Sequence, residues 1–375
     1  MSILIGADFV PTESNKELFS NGQITDLFGE ELLKILKQAD YRIFNLETPL
    51  TDIKDPIDKI GPLLMAPTST INAYKAIDVN LLTLANNHIM DQGTSGLKST
   101  METLNKANIE YLGVGNSLKE ASKPFIFELY DKKFGVYACA EHEFSIVTDN
   151  RPGANPYDPF DSCDDIRNLK KECDYVIVLY HGGKEYYRYP SPQLQKRCQK
   201  MVAVGADLVI CQHSHCIGCE ENVQGGKIVY GQGNFLFDHS ENESWQTSVL
   251  IEITDCLEIN YIPIVKKGNS VRFALGNEAD EIIRNIECRN REILREGFVK
   301  EQYSKFADDN LKKYLFALQG KESYVFKAIN KLSGNKLREL KIRHIFGKKQ
   351  YLIIRNYLEC ESHHELLLQG LKNKL

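Results

Sequence analysis

Six short apolar segments of this chain each end in a residue type that binds metal ions or polarises a reacting group. The polar residues at these ends are Asp8, Glu47, Asn87 with His88, His181, His213 with His215, and Asn234. Short apolar runs bounded by polar or turn residues are typical of buried strands. Ligands of α/β sheets bind beyond the carboxyl ends of the strands. The sequence therefore predicts that one sheet edge gathers these side chains into one site.

Strand and helix patterns alternate over the first 265 residues. Strands are predicted at residues 3–7, 41–46, 81–85, 134–140, 175–179, 208–211 and 228–230, followed by an antiparallel pair at 247–254 and 257–264. Helical spacing of apolar residues predicts helices at 27–38, 97–107, 165–172 and 193–204. This alternation indicates an α/β fold with helices on both faces of a sheet.

The pattern changes near residues 266–270, where strand signals stop. Helices are predicted at 278–295, 299–318, 324–332, 336–346, 350–360 and 363–371. Residues 266–375 contain 23 Lys/Arg and 14 Asp/Glu, a balance of +9, and the remainder contains 23 and 37, a balance of −14. We therefore expect a catalytic-type domain at 1–265 and a helical accessory region at 270–375 with a different surface.

The candidate residues suit a dinuclear metal site. Two carboxylates, an amide oxygen and three imidazoles are ligand types that can hold two divalent ions. Such ions lower the pKa of bound water and clamp the oxygens of a phosphoryl displacement. A single Asp or His after a strand is usually a turn, cap or solvated residue, so the prediction depends on the six elements occurring together.

These residues lie in segments that resemble the CapA capsule-biosynthesis family, which has the calcineurin-like metallophosphoesterase fold. The matching segments are residues 6–8, 45–50, 84–88 with 91–93, 181–186, 205–207 with 213–215, and 233–238. The resemblance covers the chain to about residue 255 and leaves the tail outside. It implies a two-layered β-sheet core flanked by helices.

The resemblance also implies two divalent ions, of Mn, Fe, Zn or Mg. The implied ligands are Asp8 with His215 for one ion, Asn87 with His181 and His213 for the other, and Glu47 as the bridge. Many phosphoesterases have a histidine ligand two residues after the first aspartate, where this chain has Val10. That difference weakens one of the two ion sites.

Two further residues would perform the chemistry beside the ions. The resemblance implies that His88 protonates the leaving oxygen or stabilises charge there. Asp91 would orient His88, although a turn role before Gly93 explains an aspartate at this position equally well.

Five residues are candidates for substrate binding: Lys59, His142, Lys184, Glu185 and Asn234. Lysine serves well as a point charge for phosphate or carboxylate. His142 follows the predicted strand 134–140 and should reach the same sheet edge. The simpler interpretation of these residues is an ordinary surface lysine or a solvated loop.

Two other features allow a functional and a simpler interpretation. Cys216 and Cys219 could form a zinc or redox pair, but free thiols in a loop are the favoured interpretation. Residues 327–349 are basic with interleaved apolar positions, as in helices that contact anionic membranes or acidic partners. A solvated helix face is the default there. Nucleic-acid binding is not expected, because no recognisable reading motif accompanies the charge.

The function predicted from these features is metal-dependent hydrolysis of a phosphoester in capsule, exopolysaccharide or poly-γ-glutamate biosynthesis. The alternatives are a non-catalytic metal-binding scaffold of a polymer-synthesis complex, and amide-bond chemistry on a γ-glutamyl polymer. The expected partners are an anionic small-molecule or polymer substrate and capsule-synthesis proteins. No signal peptide or long apolar span is evident. We therefore expect a cytoplasmic protein. The basic helices suggest a further expectation, peripheral contact with the inner face of the membrane.

Overall fold

The computed structural model describes residues 2–237, 241–319, 324–359, 363–364, 367–368 and 371. The strands are β1 (Ser2–Asp8), β2 (Tyr41–Asn45), β3 (Leu81–Thr83), β4 (Glu110–Leu112), β5 (Val114–Gly115), β6 (Phe125–Leu129), β7 (Lys132–Ala140), β8 (Gly153–Ala154), β9 (Tyr175–His181), β10 (Leu208–Gln212), β11 (Glu220–Val223), β12 (Gly226–Val229), β13 (Thr247–Thr254), β14 (Ile259–Lys267) and β15 (Ser270–Phe273). The helices are α1 (Lys16–Ser20), α2 (Ile24–Gln38), α3 (Ile71–Ala76), α4 (Gly93–Ala107), α5 (Leu118–Ala121), α6 (Asp161–Glu172), α7 (Pro192–Ala203), α8 (Asn277–Ile293), α9 (Phe298–Leu318), α10 (Tyr324–Leu332), α11 (Lys336–Ile345) and α12 (Lys348–Glu359).

Two large mixed sheets form the core of the first compact unit. One has the strand order β15-β14-β13-β1-β2-β3-β4, and the other has the order β11-β12-β10-β9-β7-β6. Strands β1 to β4 run parallel to one another, as do β7, β9, β10 and β12. The remaining strands, β6, β11 and β13 to β15, pair antiparallel at or toward the sheet edges. Each sheet therefore collects the carboxyl ends of several parallel strands at one edge.

The alternation of side chains along the strands explains how the sheets are covered. In β1, Ile3 and Ile5 belong to the same buried cluster as Ile177 of β9, so one face of each sheet packs on the other sheet. Leu4 points the opposite way and joins a cluster with α2, α3 and α4. Val178 likewise packs with α6 and α7. The result is two stacked sheets with helices on both outer faces, which confirms the predicted α/β class with a two-layered sheet core.

The sequence did not predict the hairpin between β6 and β7. Its turn consists of Tyr130 and Asp131, with positive φ angles of 49° and 61°. Tight hairpins need two residues with positive φ, and Asn-Gly or Asp-Gly is the usual signal for them. Because Tyr130 gives no such signal, the strand before it was missed.

The chain divides into compact units at residues 300 and 301, later than the predicted boundary at 266–270. Strand β15 extends the first sheet by pairing with β14, and α8 packs against β11 and β14. The shift in composition precedes the structural division because α8 is an amphipathic helix whose apolar face lies on the first unit, with Ile282 and Ile286 buried.

The second unit is helical, as the sequence predicts. It contains most of α9 together with α10, α11 and α12, and Leu315, Ile342 and Phe346 form its small buried cluster. The predicted helix at 363–371 lies largely outside the described residues. Within the described parts of the chain, no helix combines the length and the apolar character required to cross a bilayer.

Gly6 provides a test of the packing behind the first sheet edge. A Cβ atom at Gly6 would lie 2.3 Å from Cε1 of the fully buried Phe44. We predict that Gly6→Ala destabilises the protein by about 1–3 kcal/mol, the usual cost of overpacking a core. The measurement is urea unfolding followed by circular dichroism. Gly347→Ala is the control, because nothing lies within 4 Å of the new atom; equal stability of the two variants would contradict the packing described here.

Candidate metal centre

The six predicted metal ligands all follow parallel strands of the two sheets. Asp8 is the last residue of β1, Glu47 follows β2, Asn87 follows β3, His181 is the last residue of β9, and His213 and His215 follow β10. The two sheet edges meet here, since Nε2 of Gln212 in β10 donates to the carbonyl oxygen of Gly6 in β1 over 3.4 Å. Stacking of the sheets thus places both groups of strand ends side by side.

His181 is the contact between the two sets of ligands. Its Nε2 lies 3.0 Å from Oδ1 of Asn87 and 3.1 Å from Oε1 of Glu47. The rings of His181 and His213 have centroids 4.9 Å apart. Ligand atoms of Glu47, His213 and His215 all lie within 4.8 Å of one another.

The remaining predicted ligand, Asp8, joins the group through His215. Its Oδ2 lies 3.4 Å from Nδ1 of His215. All six side chains therefore converge on one small region, as the strand-end pattern predicts. Coordination of metal by these residues stays a prediction.

Glu47 is the residue whose surroundings most strongly favour a bound cation. It is fully buried, and neither carboxylate oxygen receives a hydrogen bond. The 3.1 Å approach of His181 to Oε1 is an ion-pair contact that lacks hydrogen-bond geometry. A buried carboxylate without donors is costly, and buried charges are normally paired or coordinate a metal. The donor set therefore fits a divalent ion at Glu47.

The backbone around the two histidines after β10 is strained. His213 and His215 have φ angles of 79° and 53°, in the left-handed region that non-glycine residues rarely adopt. Each such residue costs on the order of 1 kcal/mol or more, and strain of this kind concentrates at functional sites. Nδ1 of His213 is also buried without a hydrogen-bond partner. The left-handed backbone thus coincides with a buried imidazole that has an unpaired nitrogen.

The electrostatics of the cluster separate His213 from the other histidines. Burial and the nearby His181 lower the pKa of His213 well below its ordinary value, so its ring is neutral. Burial alone would also lower the pKa of His215, but hydrogen bonding to Asp8 and the charge of Glu47 raise it to about 9. His181 follows the same pattern: burial opposes protonation, and Glu47 raises its pKa overall. Without a cation, protons on these imidazoles balance the buried carboxylates.

Asn45 is a site residue to which sequence reasoning gave no role. Its Nδ2 donates to Oδ1 of Asp8 over 2.7 Å and lies 3.4 Å from Nδ1 of His181. Its Oδ1 accepts a hydrogen bond of 3.1 Å from Nδ2 of Asn86. Asn86 in turn bonds the carbonyl of Leu46, just before Glu47. The sequence signal was an asparagine directly after Ile43 and Phe44, just before the Leu46-Glu47 motif. The structure shows that its side chain is fully buried.

His88, Asp91 and Lys59 form a buried charged chain beside the ligands. Nδ1 of His88 lies 2.6 Å from Oδ2 of Asp91, and Nζ of Lys59 lies 2.5 Å from Oδ1 of Asp91. Nζ of Lys59 also lies 3.2 Å from Nδ1 of His88, and the side chain is only 3% exposed. The structure thus pairs Lys59 with Asp91, whereas the sequence offered it as a substrate contact.

The other four candidate substrate residues have different surroundings. Oδ1 of Asn234 accepts from Nδ1 of His215 over 2.8 Å, which orients that ring in the way a second layer of residues orients metal ligands. Lys184 is exposed and close enough to contribute to the lowered pKa of His213. Glu185 is half-buried two residues before the buried Tyr187. His142 is exposed at the end of β7 and lines a separate cavity.

The cysteines agree with the simpler interpretation. Cys216 and Cys219 are buried, free thiols, and the other cysteines within the described residues are also free. Burial raises the pKa of Cys219 well above its ordinary value, which keeps the thiol protonated.

The stacked sheets and the buried carboxylate–imidazole cluster at their common edge define an α/β protein with a candidate metal centre. The family described as "Bacterial capsule synthesis protein PGA_cap" matches residues 3–239, a range that contains every predicted ligand. The chain belongs to this family, which confirms the resemblance to CapA proteins.

Two curated relatives carry the name CapA. The chain is 32% identical over 212 residues to "PGA biosynthesis protein CapA" of Bacillus subtilis, covering 54% of this chain and 55% of that protein. It is 31% identical over 227 residues to "Capsule biosynthesis protein CapA" of Bacillus anthracis, covering 57% and 54%. The chain thus spans about half the length of these curated relatives. Among solved structures, a 5'-nucleotidase from Candida albicans aligns with a TM-score of 0.42 at 11% identity, over 82% of this chain and 57% of that one.

Replacing Glu47 tests the assignment of the centre. We predict that Glu47→Gln lowers the bound Mn²⁺ to less than half of the wild-type content, because the amide removes the charge that a cation would neutralise. The measurements are metal analysis of dialysed protein and the rise in melting temperature on adding Mn²⁺, since a ligand stabilises the state it binds. Glu110→Gln, at the exposed start of β4, should behave as wild type. A Glu47→Gln protein with full metal content would remove this residue from the site.

The pKa of His215 predicts how metal affinity changes with pH. Its ring holds a proton up to about pH 9 in the metal-free protein. A coordinating imidazole must be neutral, so metal binding releases that proton. The affinity for Mn²⁺ should therefore rise from pH 6.5 to pH 8.5, by up to about tenfold per pH unit for each proton released.

Competition with a fluorescent chelator, corrected for the chelator's own titration, measures this dependence. His344→Ala should leave the slope unchanged, because His344 is exposed in the second unit. An affinity that is flat or falls over this range would contradict the assignment of His215 as a ligand.

Proposed function

We propose that this chain is a metal-dependent hydrolase of the phosphoesterase type, with a role in capsule or poly-γ-glutamate biosynthesis. The observation that carries the proposal is the buried Glu47, whose oxygens receive no hydrogen bond and lie among the imidazoles of His181, His213 and His215. Apolar side chains would stabilise the fold as well as this buried charged cluster does, or better, so stability alone does not explain the cluster. Binding of a cation does explain it.

The contacts among the predicted ligands support a dinuclear arrangement. Asp8 and His215 contact each other, Asn87 and His181 contact each other, and Glu47 lies between the imidazoles of His181 and His215. When bound, divalent ions lower the pKa of a water molecule and neutralise charge on the reacting phosphoryl oxygens. The strand ends keep the ligands in place on rigid elements of the fold.

His88 is proposed as the group that hands a proton to the leaving oxygen. Its Nδ1 pairs with Asp91, which fixes the tautomer of the ring. Nε2 is therefore the ring nitrogen proposed to exchange a proton with the leaving oxygen. Asp91 is fully buried and also accepts a hydrogen bond of 2.6 Å from the backbone of Leu64. Lys59 balances the charge of Asp91. The ring of His88 is therefore held in one orientation at the edge of the cluster, with 8% of its surface exposed.

The biosynthetic role is supported by the family and by the names of the relatives. The two relatives described above are named for PGA biosynthesis and for capsule biosynthesis. An anionic polymer, or an anionic intermediate in its synthesis, is the proposed substrate class. Because the chain spans about half of each relative, the assignment to this chain is part of the proposal.

One structural observation favours the alternative of a non-catalytic scaffold. Val10 occupies the position where many phosphoesterases have a further histidine ligand, and its side chain is fully buried. Its backbone nitrogen bonds the carbonyl of Leu236, so the segment cannot turn another side chain toward the ions without moving. The ion next to Asp8 would have one protein ligand fewer. Amide-bond hydrolysis of a γ-glutamyl chain is the other alternative, because metal-activated water also attacks carbonyl carbon.

An activity screen separates the three possibilities. The full chain loaded with Mn²⁺ is assayed on p-nitrophenyl phosphate, on bis-p-nitrophenyl phosphate and on γ-glutamyl peptides. Metal-dependent release of nitrophenol supports the proposal. Cleavage of the γ-glutamyl bonds alone supports amide chemistry. Full metal content without turnover of any of these compounds supports the scaffold.

Substitution of His88 tests the proposed mechanism. We predict that His88→Ala keeps near wild-type metal content but lowers turnover of the aryl phosphate by about a hundredfold or more, the usual scale for a general acid. Metal analysis and steady-state kinetics on the same preparation give both values, and His344→Ala serves as the control. Loss of metal in His88→Ala would show that this residue is a ligand instead.

A further inference from the structure

A cavity lies on the outer face of the six-stranded sheet, next to the strand ends that carry the candidate metal centre. It has a volume of about 600 Å³. Its walls come from the carboxyl ends of β7 and β9 and from α7, and the residues used below are Glu141, Tyr157, Tyr180, Lys196, Arg197 and Lys200. This is large enough for a small organic ligand.

The cavity is rich in positive charge. Lys196, Arg197 and Lys200 lie on one side of α7, and Glu141 is the only carboxylate among the lining residues that the structure describes. Neither lysine side chain has a hydrogen bond or an ion pair within the described residues. Lys170 on the neighbouring α6 differs, because its Nζ lies 2.8 and 3.0 Å from the carboxylate oxygens of Asp207. The two lysines are thus unpaired, although residues 1–265 as a whole carry a formal charge of −14.

Arg197 is held in place at the base of this group. Its Nη1 donates to Oη of Tyr180 over 3.3 Å, and its Cζ lies 5.6 Å from the ring centre of Tyr157. Tyr180 in turn donates to Oε1 of Glu141 over 3.3 Å. Nη1 of Arg197 also lies 3.7 Å from Oε1 of Glu141, a long ion pair on the same side of the guanidinium. The described contacts are all made through Nη1 and the ring face, so the other N–H groups of the guanidinium suit a planar oxyanion.

The cavity and the metal centre share the end of β9. Tyr180 lines the cavity, and the next residue, His181, points to the opposite face of the sheet and into the metal centre. The backbone nitrogen of Glu141 donates to the carbonyl of His181 over 3.0 Å. Gly182 follows directly, and a Cβ atom there would lie 2.5 Å from Cγ of Glu141. Glu141 therefore packs directly against the backbone of Gly182, at the strand end that the cavity and the metal centre share.

We propose that this cavity binds an oxyanion group, carboxylate or phosphate, of a ligand that extends from the metal centre around the end of β9. Lys196, Arg197 and Lys200 supply the charge, and the tyrosines flank the apolar part of the ligand. The proposal rests on the proposed function only for the direction in which the ligand extends. Binding in the cavity needs no turnover.

The experiment compares two anionic ligands and two charge-matched variants of the full, Mn²⁺-loaded chain. Hexaglutamate provides carboxylates, and tripolyphosphate provides phosphates. The test variant is Lys196→Gln/Lys200→Gln. The control is Lys119→Gln/Lys171→Gln, which removes the same charge from exposed positions on α5 and α6. Calorimetry gives the dissociation constants at about 0.1 M and 0.5 M salt.

We expect the test variant to bind at least one of the ligands about tenfold more weakly than wild type, the scale of two partly exposed ion pairs. The control should match wild type, and the difference should shrink at the higher salt. The ligand that loses affinity identifies the group as carboxylate or phosphate. Equal affinities of the test variant and wild type for both ligands, or no binding of either ligand to wild type, would overturn the proposal.

Wild-type activity keeps this result separate from the hydrolase proposal. If the test variant binds more weakly and the wild type hydrolyses no phosphoester, the cavity is supported as a binding site and the hydrolase proposal is rejected. If the wild type hydrolyses a phosphoester and both proteins bind equally, the hydrolase proposal is supported and the cavity proposal is rejected.

Discussion

The amide of Asn45 is the interaction on which the arrangement of the site depends. It lies at the end of β2 and touches Asp8 of β1, Asn86 after β3 and His181 of the opposite sheet. An amide can donate and accept at once, so it connects a carboxylate, another amide and an imidazole without adding charge. Sheet stacking brings the strand ends near one another, and this side chain fixes their spacing.

Several features of the site lower the stability of the fold, and packing of the surrounding core must offset them. Glu47 is buried without donors, and two histidines have left-handed backbones. The packing behind these residues is dense: the fully buried ring of Phe9 lies within 6 Å of those of Phe19, Phe28, Phe44, Tyr74 and Phe235. Large buried aromatic rings contribute strongly to stability. A rigid aromatic core directly beneath the cluster therefore allows strain and buried charge to persist at the edge.

The sequence predicted which side chains meet at the sheet edge better than it predicted their contacts. Strand-end positions have a simple rule, because parallel strands in one sheet finish at the same edge, and Asp8 and His181 follow that rule. Contacts within the site depend on side-chain directions that periodicity does not contain. Lys59 illustrates this: its loop carries no periodic pattern, and its pairing with Asp91 follows from a chain reversal that only the tertiary fold specifies. The same holds for the hairpin turn at Tyr130, whose positive φ angles are imposed by the strands on either side.

The alternation along β9 restricts how sequences of this family can change in length. Tyr180 and His181 face opposite sides of one strand that is paired on both edges, with β7 and with β10. Inserting or deleting one residue within β9 would exchange the two faces, moving the tyrosine into the candidate metal centre and the histidine into the outer cavity. Length variation among descendants of this chain should therefore accumulate in the segment after Gly182 and before α7, where the register of the sheet no longer constrains it. The candidate metal centre and the outer cavity therefore constrain the same stretch of sequence.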